Sequence, residues 1–308
     1  MLRAMKRGIL PEQRRSQLKK LLTEKSGKSI IRLIEAHSGL SALIGSNAKV
    51  QATDGSTKTF DGIWLSGLTD TASQGVPDRE ILGIAAKLNT LDQITAVSDR
   101  PIIVDGDSGG TMVQLEYTVA ALERHGASGV VFEDQIYPKQ NSLIECEHFL
   151  EKPENFAKKL HLALSTRRSS DFMIFARIES FIANETVAQS LERAKIYLQT
   201  GVDGIVIHSR ARSPEEVFEF SKGYQVLLKE SRKQVPLVCI PTSYGAVKES
   251  ELIERNFQFV IYANFLLRAA ARAMGEAAQS ILSEGRCQEA SQLGISLQDL
   301  FQLIDEPK

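Results

Sequence analysis

Eight short apolar runs that end in polar or acidic residues constrain this chain most strongly, and most of them are followed by a helical stretch. They are Ile30–Glu35, Gly62–Ser66, Pro101–Asp107, Gly129–Asp134, Phe172–Glu179, Gly204–Ser209, Leu237–Thr242 and Phe259–Asn264. Their tails read IEAH, IWLSG, VDGD, FEDQ, ARIE, IHS, IPT and YAN. A parallel sheet places such carboxyl-terminal tips on one face. Eight strand–helix units therefore predict a closed (β/α)8 TIM barrel with its chemistry at that face. Asp105, Asp107, Glu133, Asp134, Arg177, Glu179 and His208 are expected to converge there, far apart as they are in sequence.

The division expected is a basic, solvated helical arm over 1–28, the barrel over 29–285 and a helical tail over 286–308. The arm lacks the apolar core of a secretory signal. With 37 Lys+Arg against 38 Asp+Glu, the formal charge of −1 gives no footing for binding nucleic acid or a membrane surface through bulk charge. Every apolar run falls short of the roughly 18 residues that a membrane span needs. Three cysteines without metal or redox spacing fit a reducing cytoplasm. The Asp-Gly pair in KVQATDGSTKTFDG predicts a turn or small hairpin before the second strand. The polar segment LTDTASQGVPDRE reads as a long loop that starts a helix near Pro77 or Asp78. Later helices are expected over Thr111–Arg124, Pro153–Leu164, Thr186–Thr200, Ser213–Leu228 and Leu266–Leu282, with Ser213 and Glu216 forming a capping box.

The strongest local feature is VDGDSGG, Val104–Gly110. Asp105 and Asp107 at a strand end can approach one hard cation, directly or through water, or can simply cap a helix. FEDQIYPKQNS adds Glu133 and Asp134 as further candidates near a metal. Its Lys139, Asn141 and Ser142 suit an anion or a mobile lid. Arg177 can bind a carboxylate or phosphoryl group in two-pronged fashion, or lock the barrel in an ion pair. His208 fits either a phosphoryl contact with proton transfer or a satisfied core position. Around Trp64, Ser66, Gly67 and Leu68, backbone N–H groups and a hydroxyl can hold an enolate or carboxylate oxygen. Asp78 suits a nucleophile or base, or a residue stabilised at a helix start.

Taken together in order, IEAHSGLSA, DGIWLSGL, GVPD, DGDSG, EDQxxPKxNS, ARIESFIA, IHS, VPLVCIPTSY and IYANFLLRA resemble the phosphoenolpyruvate mutase and isocitrate lyase superfamily over residues 30–275. The resemblance implies a TIM barrel whose terminal helix is exchanged between paired subunits in a homodimer or homotetramer. It implies a small phosphorylated or phosphonate 2-oxo acid bound with Mg2+. Asp105 then becomes the direct metal ligand, and Asp107 and Glu133 orient its waters. The backbone at Gly67 and Leu68 faces substrate oxygens. Arg177, His208, Asn141, Ser142 and Ser66 surround the phosphoryl group or carboxylate, Asp78 matches the loop acid of the mutases, and Lys139 matches their gating lysine.

KQNS resembles the mutase branch, which interconverts phosphoenolpyruvate and phosphonopyruvate in phosphonate biosynthesis. The segment has no cysteine of the kind that serves as catalytic acid in the lyase-type KRCGH. Phosphonopyruvate hydrolysis and cleavage of a substituted malate are the alternatives. The chain departs from the mutase pattern at Gln135, where a lysine is usual, and at DSGG, where DTGYG is usual.

Overall fold

The computed structural model describes residues 9–25, 29–52 and 55–304. The basic start before Ile9, Asp54 of the Asp-Gly pair and the last four residues lie outside them. Eight parallel strands close the barrel: β1 (Ile31–Glu35), β4 (Gly62–Leu65), β5 (Ile102–Asp105), β6 (Gly129–Glu133), β7 (Met173–Ile178), β8 (Gly204–Ile207), β9 (Leu237–Cys239) and β10 (Phe259–Tyr262). The expected hairpin is present as β2 (Lys49–Gln51) paired antiparallel with β3 (Thr57–Thr59). Helices α2 (Gly39–Asn47), α3 (Gly67–Ser73), α4 (Ile84–Val97), α5 (Met112–Arg124), α6 (Pro153–Thr166), α7 (Val187–Thr200), α8 (Glu215–Ser231), α9 (Glu249–Glu254) and α10 (Phe265–Glu284) follow the strands, and α11 (Leu297–Leu303) lies in the tail.

Two apolar layers hold these elements. Leu65, Val104, Val130, Phe132, Ile174 and Ile205 face outward against the helices, with Leu115, Phe156, Tyr197 and Phe220 on the helix side. Trp64, Ile103, Val131, Phe175, Val206 and Phe259 belong to the barrel interior, where the Phe175 and Phe259 rings meet edge to face with centroids 5.9 Å apart. Gly204 makes room for this layer, because a Cβ there would fall 2.3 Å from Phe175 Cδ1. Thr111 and Thr186 cap α5 and α7 in reciprocal boxes with Gln114 and Gln189, the local signal that fixes where those helices start.

Four expectations need correction. The arm is not a solvated helix. Over its described part, α1 (Pro11–Lys25), Leu18 is fully buried within the barrel-interior cluster. Arg14 and Arg15 are also buried, donating to the carbonyls of Arg100 and Glu123 at 2.6 and 2.8 Å. These carbonyl contacts offset much of the cost of burying the two guanidinium groups, although Arg15 Nε is left without a partner. The segment after Ser66 is not all loop, since α3 occupies Gly67–Ser73 and the next helix begins at Ile84 rather than Pro77. The Ser213–Glu216 capping box is absent: Ser213 Oγ accepts from the Glu215 N–H at 3.4 Å, and Glu216 instead accepts a hydrogen bond from Ser209 Oγ. Asp134 turns away from the barrel mouth toward α7, where Tyr197 Oη donates to it at 2.7 Å and Arg193 stands at 3.3 Å.

Candidate active site

The β-strand register does the first assembly. Glu133 of β6 pairs directly with Arg177 of β7, and Asp105 of β5 with Val131 of β6. At the carboxyl-terminal mouth, Trp64, Ser66, Leu68, Asp78, Asp105, Lys139, Asn141, Ser142, Arg177 and His208 line one cavity of about 50 Å³. Ile240 and Thr242, beyond β9, and Asn264, beyond β10, also line it. All but Leu68 and Thr242 of these side chains are buried. The cavity is small, with room for little beyond a few water molecules.

The cover is the segment 136–149, clamped at its base by an antiparallel bridge between Gln135 and Leu150 and by Ile136 N–H donating to the Phe149 carbonyl at 2.9 Å. The Gln135 amide is its hub. Nε2 donates its two N–H groups to Glu133 Oε1 and the Gln140 carbonyl at 3.0 Å each and stands 3.3 Å from Ser142 Oγ, while Oε1 accepts from Gln140 N–H at 3.3 Å. The mutase-type lysine could make the donations but not the acceptance. The cover also carries Cys146, beyond the KQNS segment. That thiol is exposed, stands 3.6 Å from His148 Nε2 and does not line the cavity.

Lys139 reaches inward from this cover into a nest of acids. Its Nζ stands 2.8 Å from Asp107 Oδ1, 3.2 Å from Asp78 and 3.9 Å from Glu133. Burial alone would lower the ammonium pKa, but Asp107, Glu133 and Asp78 outweigh it and raise it well above its ordinary value. Burial alone would also raise Asp107, yet Lys139 and Lys87 hold it below the usual carboxylate range. Glu133 goes the other way: burial raises it well above its ordinary value despite Lys139 and Arg177. Asp78, held by Asn141 Nδ2 at 2.7 Å, is likewise raised by burial, against the pull of Lys139.

A second group faces the first. Arg177 donates to Glu179 through Nε and, through Nη2, to Ser142 Oγ at 3.1 Å and His208 Nδ1 at 2.9 Å. Burial lowers the His208 pKa, although Glu179 opposes the shift. Nδ1 stands between Arg177 Nη2, which can only donate, at 2.9 Å and Glu179 Oε1, which accepts, at 3.2 Å, so the ring's proton position decides which of the two it meets. Burial would raise Glu179, but Arg177 and His208 bring it down to about 2.

The Gly67 N–H donates to Asp105 Oδ2 at 3.1 Å, so this expected oxyanion donor is engaged by a carboxylate. Ser66 caps α3 through the Thr69 N–H. A Cβ on Gly67 would stand 2.6 Å from Asp107 Oδ1 and 3.2 Å from Asp105 Oδ2, so the acids approach the backbone as only glycine allows. Among the described residues no three His, Cys, Asp or Glu side chains form a ready metal cage. The hard oxygen donors nonetheless suit Mg2+, which takes one or two carboxylates and keeps several waters. Asp107 Oδ1 and Glu133 Oε2 are buried without a hydrogen bond in good geometry, although Lys139 and Arg177 stand near them. Acceptors in that condition are fit to meet a cation.

Two participants escaped sequence reasoning. Lys87, on α4, donates to Asp107 Oδ2 at 2.6 Å and to the Asp105 carbonyl. Glu80 accepts from Ser108 Oγ and the Lys139 N–H at 2.7 Å each, tying the Asp78 loop to both the acidic turn and the cover. AAKLNTL reads as an ordinary helix with a surface lysine, so nothing local marks Lys87. Glu80 lies two residues beyond Asp78, where an acid looks like a solvated turn residue.

A closed (β/α)8 barrel with acids, a lysine and an arginine gathered at its carboxyl-terminal mouth has the layout of an enzyme. The model of the phosphoenolpyruvate phosphomutase family matches residues 18–282, and the chain belongs to that family, within the phosphoenolpyruvate mutase and isocitrate lyase superfamily. It is 31% identical to a phosphoenolpyruvate phosphomutase from Tetrahymena pyriformis over 94% of this chain and 91% of that one. It is 34% identical to a phosphonopyruvate hydrolase from Variovorax sp. (strain Pal2) over 79% and 83%. A crystal structure of a phosphonopyruvate hydrolase in complex with oxalate and Mg2+ superposes with a TM-score of 0.81 at 30% identity, covering 94% of each chain.

Proposed function

We propose that this enzyme interconverts phosphoenolpyruvate and 3-phosphonopyruvate, moving a phosphoryl group between oxygen and carbon within one bound substrate, with Mg2+ as cofactor. The observation that carries this reading is the grip of Lys139 and Asn141 on Asp78 inside the cavity. A carboxylate, an ammonium and an amide from two loops meet there under the 136–149 cover.

Asp105 would hold Mg2+, with Asp107 and Glu133 beside it. When bound, that ion would neutralise charge on the enolate and carboxylate oxygens. Arg177, Ser142 and His208 supply donors for the oxygens of the transferring group, where charge spreads in the transition state. Asp78 is the acid on which transfer depends. Asn141 and Lys139 keep water from the phosphoryl group while it is loose, so that it returns to substrate.

Hydrolysis of phosphonopyruvate to pyruvate and phosphate is the second reading, favoured by the 34% identity to a hydrolase. Purified protein with Mg2+ and phosphonopyruvate, followed by phosphorus NMR, separates the two. Phosphoenolpyruvate without matching phosphate is the expected result. Stoichiometric phosphate would select the hydrolase, and no conversion would point to cleavage of a malate-like acid.

A further inference from the structure

Three cations serve the acid cluster, and Lys87 differs from the other two. Lys139 and Arg177 line the substrate cavity, whereas Lys87 lies outside that lining, beside a separate cavity of about 410 Å³ bounded by α4, α5 and the acidic turn. From the first turn of α4 it donates to Asp107 Oδ2 at 2.6 Å while Lys139 stands at 2.8 Å from Oδ1. One carboxylate is thus shared between two ammonium groups, one on each side. Lys87 is not needed to place Asp107. The Asp107 N–H donates to Asp105 Oδ1 at 3.2 Å, its carbonyl accepts from Glu133 N–H at 2.9 Å, and Lys139 remains on its other oxygen. What Lys87 adds is a fixed positive charge within hydrogen-bond reach of the segment that would receive Mg2+.

We propose that Lys87 is a built-in counter-cation of the cation site that holds down the affinity of the Asp105–Asp107 segment for Mg2+ until an anionic oxo acid enters the cavity. The inference rests on the Mg2+ site proposed above. A divalent ion nearing Asp107 meets repulsion from a charge that cannot swing away with the cover, because Lys87 stands on a helix rather than on 136–149. An anion in the cavity restores the balance. Metal and oxo acid then bind synergistically, and by linkage each raises the affinity of the other by one factor.

The test is isothermal calorimetry of Mg2+ binding, with and without oxalate as the anionic probe, on wild type, K87Q and K87R. K87Q should bind Mg2+ alone about fivefold or more tightly than wild type, with a smaller gain from oxalate. K87R, which keeps the charge, should behave as wild type. K87M keeps the aliphatic stem and gives the same comparison if glutamine disturbs α4. A loss of positioning alone would weaken binding, so equal or weaker Mg2+ affinity in the folded neutral variants would overturn the proposal. Absence of Mg2+ binding by wild type even with oxalate would overturn the metal site itself.

Discussion

Asp78 and Asp134 are both buried acids raised by desolvation, yet they serve different ends. Asp78 touches groups of the cover and lines the cavity. Asp78→Asn keeps its volume and removes its charge. Phosphorus transfer, read by phosphorus NMR, should fall by about a hundredfold or more, with the melting temperature changed by only a few degrees. Asn141→Ala should raise the fraction of phosphonopyruvate lost to phosphate in the same assay. Asp134 never reaches the mouth, and its burial shows as pH dependence. Burial raises its carboxyl from 3.8 to about 6 against the pull of Arg193 and Tyr197. A raised carboxyl contributes stability that is fully present below the unfolded value and lost as pH rises through the folded one. Wild type should therefore lose up to roughly 3 kcal/mol relative to Asp134→Asn between pH 4 and pH 6.5, read by urea unfolding. A flat difference would refute the assignment. Asp134 also marks a limit of the sequence. FEDQ places two acids at a strand tip, but only the pleat of β6 decides that Glu133 faces Arg177 while its neighbour faces α7.

At the scale of elements, the barrel was readable because strand and helix periods alternate eight times, and the tips carried most of the site. Two elements and one side chain were not. PEQRRSQLKKLLTEK is too polar to announce burial, since the carbonyls that satisfy Arg14 and Arg15 come from residues about a hundred positions away. α3 is built from Thr, Ser and Asp, which favour turns in isolation and are held helical here by Ser66 at the start and by Asp70, which Thr90 meets at 2.7 Å. Lys87 was invisible because its partner lies on another element. Leu18→Ala should lower unfolding free energy by about 2–5 kcal/mol in denaturant titration, the usual range for emptying a buried leucine site, while activity per folded molecule is kept. The cover is a unit of its own. Gln135→Leu removes the amide that joins its two legs. It should speed proteolysis within 136–149 and raise KM more than it lowers kcat, whereas unchanged cleavage would mean that the base clamp alone holds the cover.

For the whole molecule, α10 is the longest of the described helices and one that stands largely exposed. Its 20 residues include none that is buried, yet Leu267, Ala271, Met274, Ala278 and Ile281 form a helical stripe. Such a face offers a seat for a second copy, the homodimer or homotetramer expected from the sequence, and a test follows from it. Met274→Glu should shift the mass measured by sedimentation to a smaller species. An unchanged mass would place any contact elsewhere. None of the described helices is long and apolar enough to cross a membrane. The docking of α1 carries a last consequence. Leu18 packs in a layer that draws on Ile31 of the first strand and on Phe259 and Ile261 of the last. During synthesis α1 emerges from the ribosome early, while its seat exists only after β10 has followed and closed the ring. The helix that shuts the floor must wait, an exposed basic segment trailing from a growing barrel, until nearly the whole chain has been made.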